Sequence, residues 1–178
     1  MTSATGASAE QDQRWYLDRF AGIMSENRWH EVFDPSRAKF ADSGLLGVGL
    51  GWERQIGKSR FHFGVQGQAV VHFGRQDHFE FNVPVILRYV PRNPVPRWLK
   101  SASFGLGLSY ATKVPQVEVD RTGESQRTFA YWLTELEFDT ALPDSSLFVR
   151  LHHRSDAFGA FEADSGSTAV SFGWRTER

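Results

Sequence analysis

The sequence predicts an all-β protein, an eight-stranded antiparallel up-and-down β-barrel whose strands cross a membrane. Three observations carry that expectation. Apolar and polar side chains alternate at period two in strand-length segments along most of the chain. The polar face of those segments is built from Gly, Ser, Gln, Asn, His, Arg and Glu, with few Lys, which suits a crowded lumen better than a water-exposed surface. The longest apolar run, around Val83 to Leu87, has the length of a strand and is far too short for a membrane-spanning helix.

The first strand, near Trp15 to Met24, has the weakest pattern. The second sets Leu46, Val48, Leu50 and Trp52 against Gly47, Gly49 and Gly51. The third sets Phe61, Phe63, Val65, Ala69 and Val71 against His62, Gln66, Gln68 and His72. In the fourth, Phe79, Phe81, Val83, Val85, Leu87 and Tyr89 oppose His78, Glu80, Asn82, Pro84, Ile86 and Arg88. In the fifth, Phe104, Leu106, Leu108 and Tyr110 alternate with Ser103, Gly105, Gly107 and Ser109. The sixth carries Ala130, Trp132, Leu136 and Phe138 against Glu135, Glu137 and Asp139. The seventh alternates Leu147, Val149 and Leu151 with Phe148, Arg150 and His152, and the eighth Val170, Phe172 and Trp174 with Ala169, Ser171 and Gly173. Turn-forming stretches at residues 55–59 and 143–146 separate strands. With both termini periplasmic, residues 25–43, 112–127 and 156–166 become long outer loops and residues 53–60 and 139–146 short inner turns. Residues 73–77 are short for an outer loop, and residues 91–100 long for an inner turn. Trp52, Tyr89, Tyr110, Trp132 and Trp174 are candidates for an interfacial aromatic girdle.

The bulk numbers agree with one domain. The chain has 178 residues and a formal net charge of -1, which gives no electrostatic case for a nucleic-acid partner. It has no cysteine, hence no disulfide and no thiolate metal site, and 14% of its residues are aromatic, including fifteen Phe. The spacing of the six His ties none of them to acids as metal ligands, so no metal is expected. Residues 1–13 are small and polar; they are expected to be an unstructured mature N-terminus or an expression remnant, with residues 14–178 forming the barrel. They lack a signal peptide, which on this reading has been removed.

The seventh strand carries the candidate chemistry. Parity puts His153 and Ser155 side by side on the outward, lipid-facing side, beyond Leu147, Val149 and Leu151. An imidazole that can deprotonate a nearby hydroxyl is the minimum for nucleophilic ester cleavage. The plainer reading is a pair of polar residues marking the headgroup boundary at a strand end. His152 and Arg154 face the lumen with Arg150. There a salt network with Glu80, Glu135 and Glu137 is expected, and Glu80 and Arg88 can pair.

The run Ser-Leu-Phe-Val-Arg-Leu-His-His-Arg-Ser-Asp-Ala at residues 146–157 resembles the signature strand of the outer-membrane lipid A 3-O-deacylase (PagL) family. Residues 166–174 are similar to its last strand. Gly-Leu-Gly-Leu-Ser-Tyr-Ala at residues 105–111, Val114-Pro115 and Phe158-Gly159 resemble the wider acyloxyacyl hydrolase-like group. The resemblance implies an outer-membrane barrel that hydrolyses the ester-linked acyl chain at the 3-position of lipid A without a cofactor. By that resemblance Ser155 is the nucleophile and His153 the general base and acid. The family's acid falls on Thr168, which is not acidic, and Glu162, Asp164 or Asp156 could supply a carboxylate from the adjoining loop. A family Asn associated with the oxyanion falls on Asp156. Lipid A within lipopolysaccharide and outer-membrane lipids are the implied partners, and a homodimer is an open alternative. Two other readings remain: a non-catalytic barrel that binds lipid or supports the envelope, and a soluble ligand-binding barrel.

Overall fold

The computed structural model describes residues 13–178 except 28, 30, 35, 37 and 95. The expected unstructured N-terminus lies outside the described residues up to residue 12, and Gln13 already belongs to the first strand. Eight strands follow: β1 Gln13–Ser25, β2 Phe40–Gln55, β3 Phe61–Gly74, β4 Phe79–Tyr89, β5 Leu99–Ala111, β6 Thr128–Asp139, β7 Ser145–Ser155 and β8 Gly166–Glu177. Each pairs antiparallel with its neighbour in sequence, and β8 returns to β1, with Phe20 opposite Gly173, to close the barrel. Closure gives every strand two partners and removes the exposed edges of an open sheet. The shortest strands, β4 and β7, have 11 residues, enough for a tilted crossing of a hydrocarbon layer, which takes about 9–11. No described helix is long and apolar enough to cross a membrane.

The period-two pattern sorts the faces as expected. Val48, Leu50, Val83, Leu106, Leu108 and Phe172 point outward and are more than half exposed. A continuous apolar wall of this kind is rare on a protein bathed only in water. The inward face is crowded with buried charged and aromatic side chains. Arg175 donates through Nε and Nη2 to the two oxygens of Asp18 (2.8 Å each), and Arg150 Nη2 bridges Asp18 (2.7 Å) and Glu135 (2.5 Å). The guanidinium of Arg175 lies over the Tyr16 ring at 4.2 Å, and that of Arg150 over Phe148 at 4.6 Å. These rings lie flat because their cross-strand neighbours are glycines. A Cβ on Gly51 would come within 2.1 Å of Tyr16 Cζ, and one on Gly173 equally close to Phe148 Cζ.

One expected pair is not made. Arg88 donates to Glu53 (2.8 Å) and to Glu137, whereas Glu80 engages His152 (2.8 Å) and His72 (2.9 Å). Eight residues of strand separate Glu80 from Arg88, roughly 26 Å. They share a face but sit at opposite ends of the lumen.

The connections at residues 26–39, 112–127 and 156–165 share one end of the barrel, and the β4–β5 connection at residues 90–98 lies at the other. A single 3-10 turn, Glu31–Phe33, lies in the first, and a helix, α1 Gln116–Thr122, lies in residues 112–127, where the sequence reading placed only a loop. Pro115 starts it, and Gly123, at φ 87°, ends it with its N–H on the Val119 carbonyl. Glu118 projects from α1 into the barrel mouth. It pairs with Arg154 (2.8 Å) and accepts from Ser167 (2.7 Å) and Ser125 (2.5 Å). Burial holds its carboxyl above the usual carboxylate range despite Arg154.

Candidate active site

Antiparallel register puts Trp132 of β6, His153 of β7 and Thr168 of β8 in one row across the outward wall. Ser155 lies two residues further along β7, about 7 Å on and on the same face, between Ala130 and Gly166. Gly166 leaves space there, since a Cβ on it would meet the Ser155 Cβ at 3.0 Å and the Arg154 carbonyl oxygen at 2.4 Å.

His153 points outward by parity, yet only 6% of it is exposed. Its ring packs on Trp132 (centroids 4.6 Å apart, 42° between planes), and Trp29 of the first long connection meets Trp132 edge-on at 5.7 Å. Arg121 and Thr122 of α1 complete the cover. Arg121 Nη2 donates to the Gly166 carbonyl, and Thr122 Oγ1 bonds Ser165 Oγ at 2.7 Å. These loops convert a patch of barrel wall into a groove of about 1070 Å³, floored by Phe104, Leu106, Ala130 and Leu151, with His153 and Ser155 at its polar end.

The Nδ1 atom of His153 is 2.8 Å from Thr168 Oγ1, and Thr168 is fully buried. With Nδ1–H donating to that hydroxyl, Nε2 keeps its lone pair, the form a general base needs. No described carboxylate bonds His153. Glu162 is exposed and does not line the groove. Asp164 lines the groove, but its backbone N–H is tied to Glu124 (3.1 Å) and its side chain is exposed. The Asp156 carboxylate is turned into its own loop, where Oδ2 accepts the Gly159 N–H at 2.6 Å. This turn forces left-handed φ at Ala157 (52°), Phe158 (61°) and Gly159 (85°), an unfavourable conformation for the first two. It also points the Ala157 N–H at Ser155 Oγ, 3.4 Å away.

Ser155 and His153 share the groove but are not hydrogen-bonded to each other among the described contacts. Catalytic hydrogen bonds often tighten only around substrate. The groove can thus supply a hydroxyl, a neutral imidazole held by a hydroxyl, a backbone donor at the hydroxyl and an apolar floor. Among the described residues it holds no cluster of three metal ligands. Sequence reasoning missed the Ala157 N–H, Trp29 and Arg121. The Phe158-Gly159 pair hints at the turn, but nothing in the sequence marks Trp29 or Arg121.

No protein-family model matches the sequence, and no curated protein matches it. Among solved structures, the outer membrane enzyme PagL superposes with a TM-score of 0.59 at 13% identity, covering 90% of this chain and 98% of PagL. That likeness shows a shared barrel fold. Ail, the attachment invasion locus protein of Yersinia pestis, aligns over 94% of this chain and 99% of its own at 10% identity, with a TM-score of 0.29.

Proposed function

We propose that the chain is an outer-membrane esterase that releases the 3-linked hydroxyacyl chain from lipid A of lipopolysaccharide. The observation that carries this reading is the His153–Ser155 pair at the polar end of an apolar groove on the outward barrel wall. The exposed apolar belt supports a bilayer setting, in which acyl chains reach the groove from the side without leaving the membrane.

In this mechanism Ser155 Oγ attacks the ester carbonyl and passes its proton to His153 Nε2. The Ala157 N–H swings from the hydroxyl to the developing oxyanion. His153 then protonates the departing sugar oxygen, and water cleaves the acyl-serine by the same route in reverse. Thr168 holds the ring in register throughout. Phe104, Leu106 and Leu151 receive the acyl chain.

Mass spectrometry of lipid A incubated with refolded protein tests the reading. The wild type is expected to remove one hydroxyacyl mass, and Ser155→Ala none. Release by Ser155→Ala at the wild-type rate would overturn the nucleophile. A second reading, a non-catalytic barrel that binds lipid in the same groove, is favoured by Thr168, because a hydroxyl stabilises an imidazolium less than a carboxylate does. It is supported if the folded wild type removes no acyl chain.

A further inference from the structure

A second cluster of chemistry-bearing side chains lies inside the barrel, on the opposite face of the wall from the groove. The short connection between β3 and β4 folds His78 back beside His72, whose backbone N–H bonds the His78 carbonyl at 2.9 Å. Their rings stack with centroids 4.4 Å apart and 14° between planes. Glu80 follows on the same inward face of β4. One ligand atom from each of His72, His78 and Glu80 lies within 4.8 Å of the others, and all three residues are buried.

The hydrogen bonding in this cluster is incomplete. Glu80 accepts from His72 Nε2 through one oxygen and from His152 Nε2 through the other. Gln76 contacts His72 Nδ1 at 2.9 Å. His78 Nε2, however, is buried with no hydrogen-bond partner among the described residues. An imidazole nitrogen without a partner in a closed lumen costs desolvation that nothing in the protein returns. It lies beside a second imidazole and a carboxylate.

We propose that His72, His78 and Glu80 form a binding site for a borderline divalent transition ion of the zinc class. Two imidazoles and one carboxylate are a ligand set this class favours. Ligand atoms around a tetrahedral ion at about 2.1 Å stand about 3.4 Å apart, so the His72 and His78 rings, which lie nearly parallel, unstack and turn their in-plane lone pairs toward one point as the ion enters. The ion replaces the proton that His72 shares with Glu80, and the Gln76 amide turns over to accept from Nδ1–H. His152 Nε2 stays on the second oxygen of Glu80 as the outer partner that orients the carboxylate. Arg154, 4.0 Å from Glu80, has its charge met by Glu118. The ion would pin β3, β4 and β7 together just below the barrel mouth.

The test uses the full chain, refolded in detergent without a polyhistidine tag. Zinc content after gel filtration is measured beside the visible spectrum of the cobalt-loaded protein. One zinc per chain and a tetrahedral cobalt spectrum are expected for the wild type. His78→Phe keeps the stacked ring and removes the nitrogen, and is expected to lower zinc affinity by about 100-fold or more. Should that variant fail to give the heat-modifiable band of a folded barrel, Glu80→Gln, which preserves shape, provides the reading with the same expectation. Substoichiometric zinc in the folded wild type overturns the site. So does equal binding by the wild type and the folded variant.

Discussion

Two adjacent histidines on β7 face opposite ways and are held by different chemistry. His152 points into the lumen, where Glu80 takes its Nε2 at 2.8 Å and Tyr131 Oη lies 3.1 Å from its Nδ1. His153 points outward, where its one hydrogen bond among the described contacts is to Thr168. A carboxylate therefore fixes the inner imidazole and a hydroxyl the outer one. The carboxylate stands where Arg154 and two further imidazoles surround it. The outer wall facing the groove is floored with hydrocarbon, where a charged carboxylate would need a partner. On the proposed function the two residues do different work, assembly inside and chemistry outside.

Substitutions can break this contrast. The largest expected effect is at the outer position. His153→Ala should lower acyl release by about 1000-fold or more while thermal unfolding stays near wild type, read by lipid A mass spectrometry beside a melting curve. The inner position should show the reverse. Glu80→Ala strands His72 and His152 and leaves Arg154 less compensated, and should cost roughly 3–5 kcal/mol in urea unfolding. If the inner variant folds as stably as wild type, the lumen network does not hold the barrel together.

Other substitutions sharpen the contrast. Thr168→Asp gives the outer imidazole the kind of partner the inner one has, and is expected to raise turnover about tenfold by stabilising the imidazolium. An unchanged or lower rate would mean that the new carboxylate does not reach Nδ1. The smallest effect is expected from Thr168→Val, which removes the hydroxyl at constant shape. It should cost about 1 kcal/mol of stability, with a loss of turnover that exceeds any change in substrate affinity.

The barrel was legible in the sequence because its rule is local. Period-two alternation over Phe79 to Tyr89 fixes which side chains share a face, and the glycines at 47, 49 and 51 mark the crowded side. Pairings across the lumen were not legible in the same way. Parity says that Glu80 and Arg88 face inward, but who meets whom depends on height along the barrel and on side chains arriving from β7. The His72, His78 and Glu80 cluster escaped notice for a related reason. Its spacing becomes informative only once the tight connection folds His78 back beside His72. At the groove, parity placed His153 and Ser155 on one outward face, and the structure sets them there. The cover was hidden, because Arg121 and Trp29 come from long connections whose path no local pattern encodes. The helix over Gln116–Thr122 is bracketed by Pro115 and Gly123, a signal present in the sequence but overshadowed by the strand pattern around it.

The filled lumen has an electrical consequence. Arg88, Arg150 and Arg175 are each at most 1% exposed, locked to acids and laid over aromatic rings along the barrel axis. Displacing one guanidinium to open a path for an ion means breaking several charged contacts at once. A planar bilayer carrying this protein should therefore keep the conductance of bare lipid.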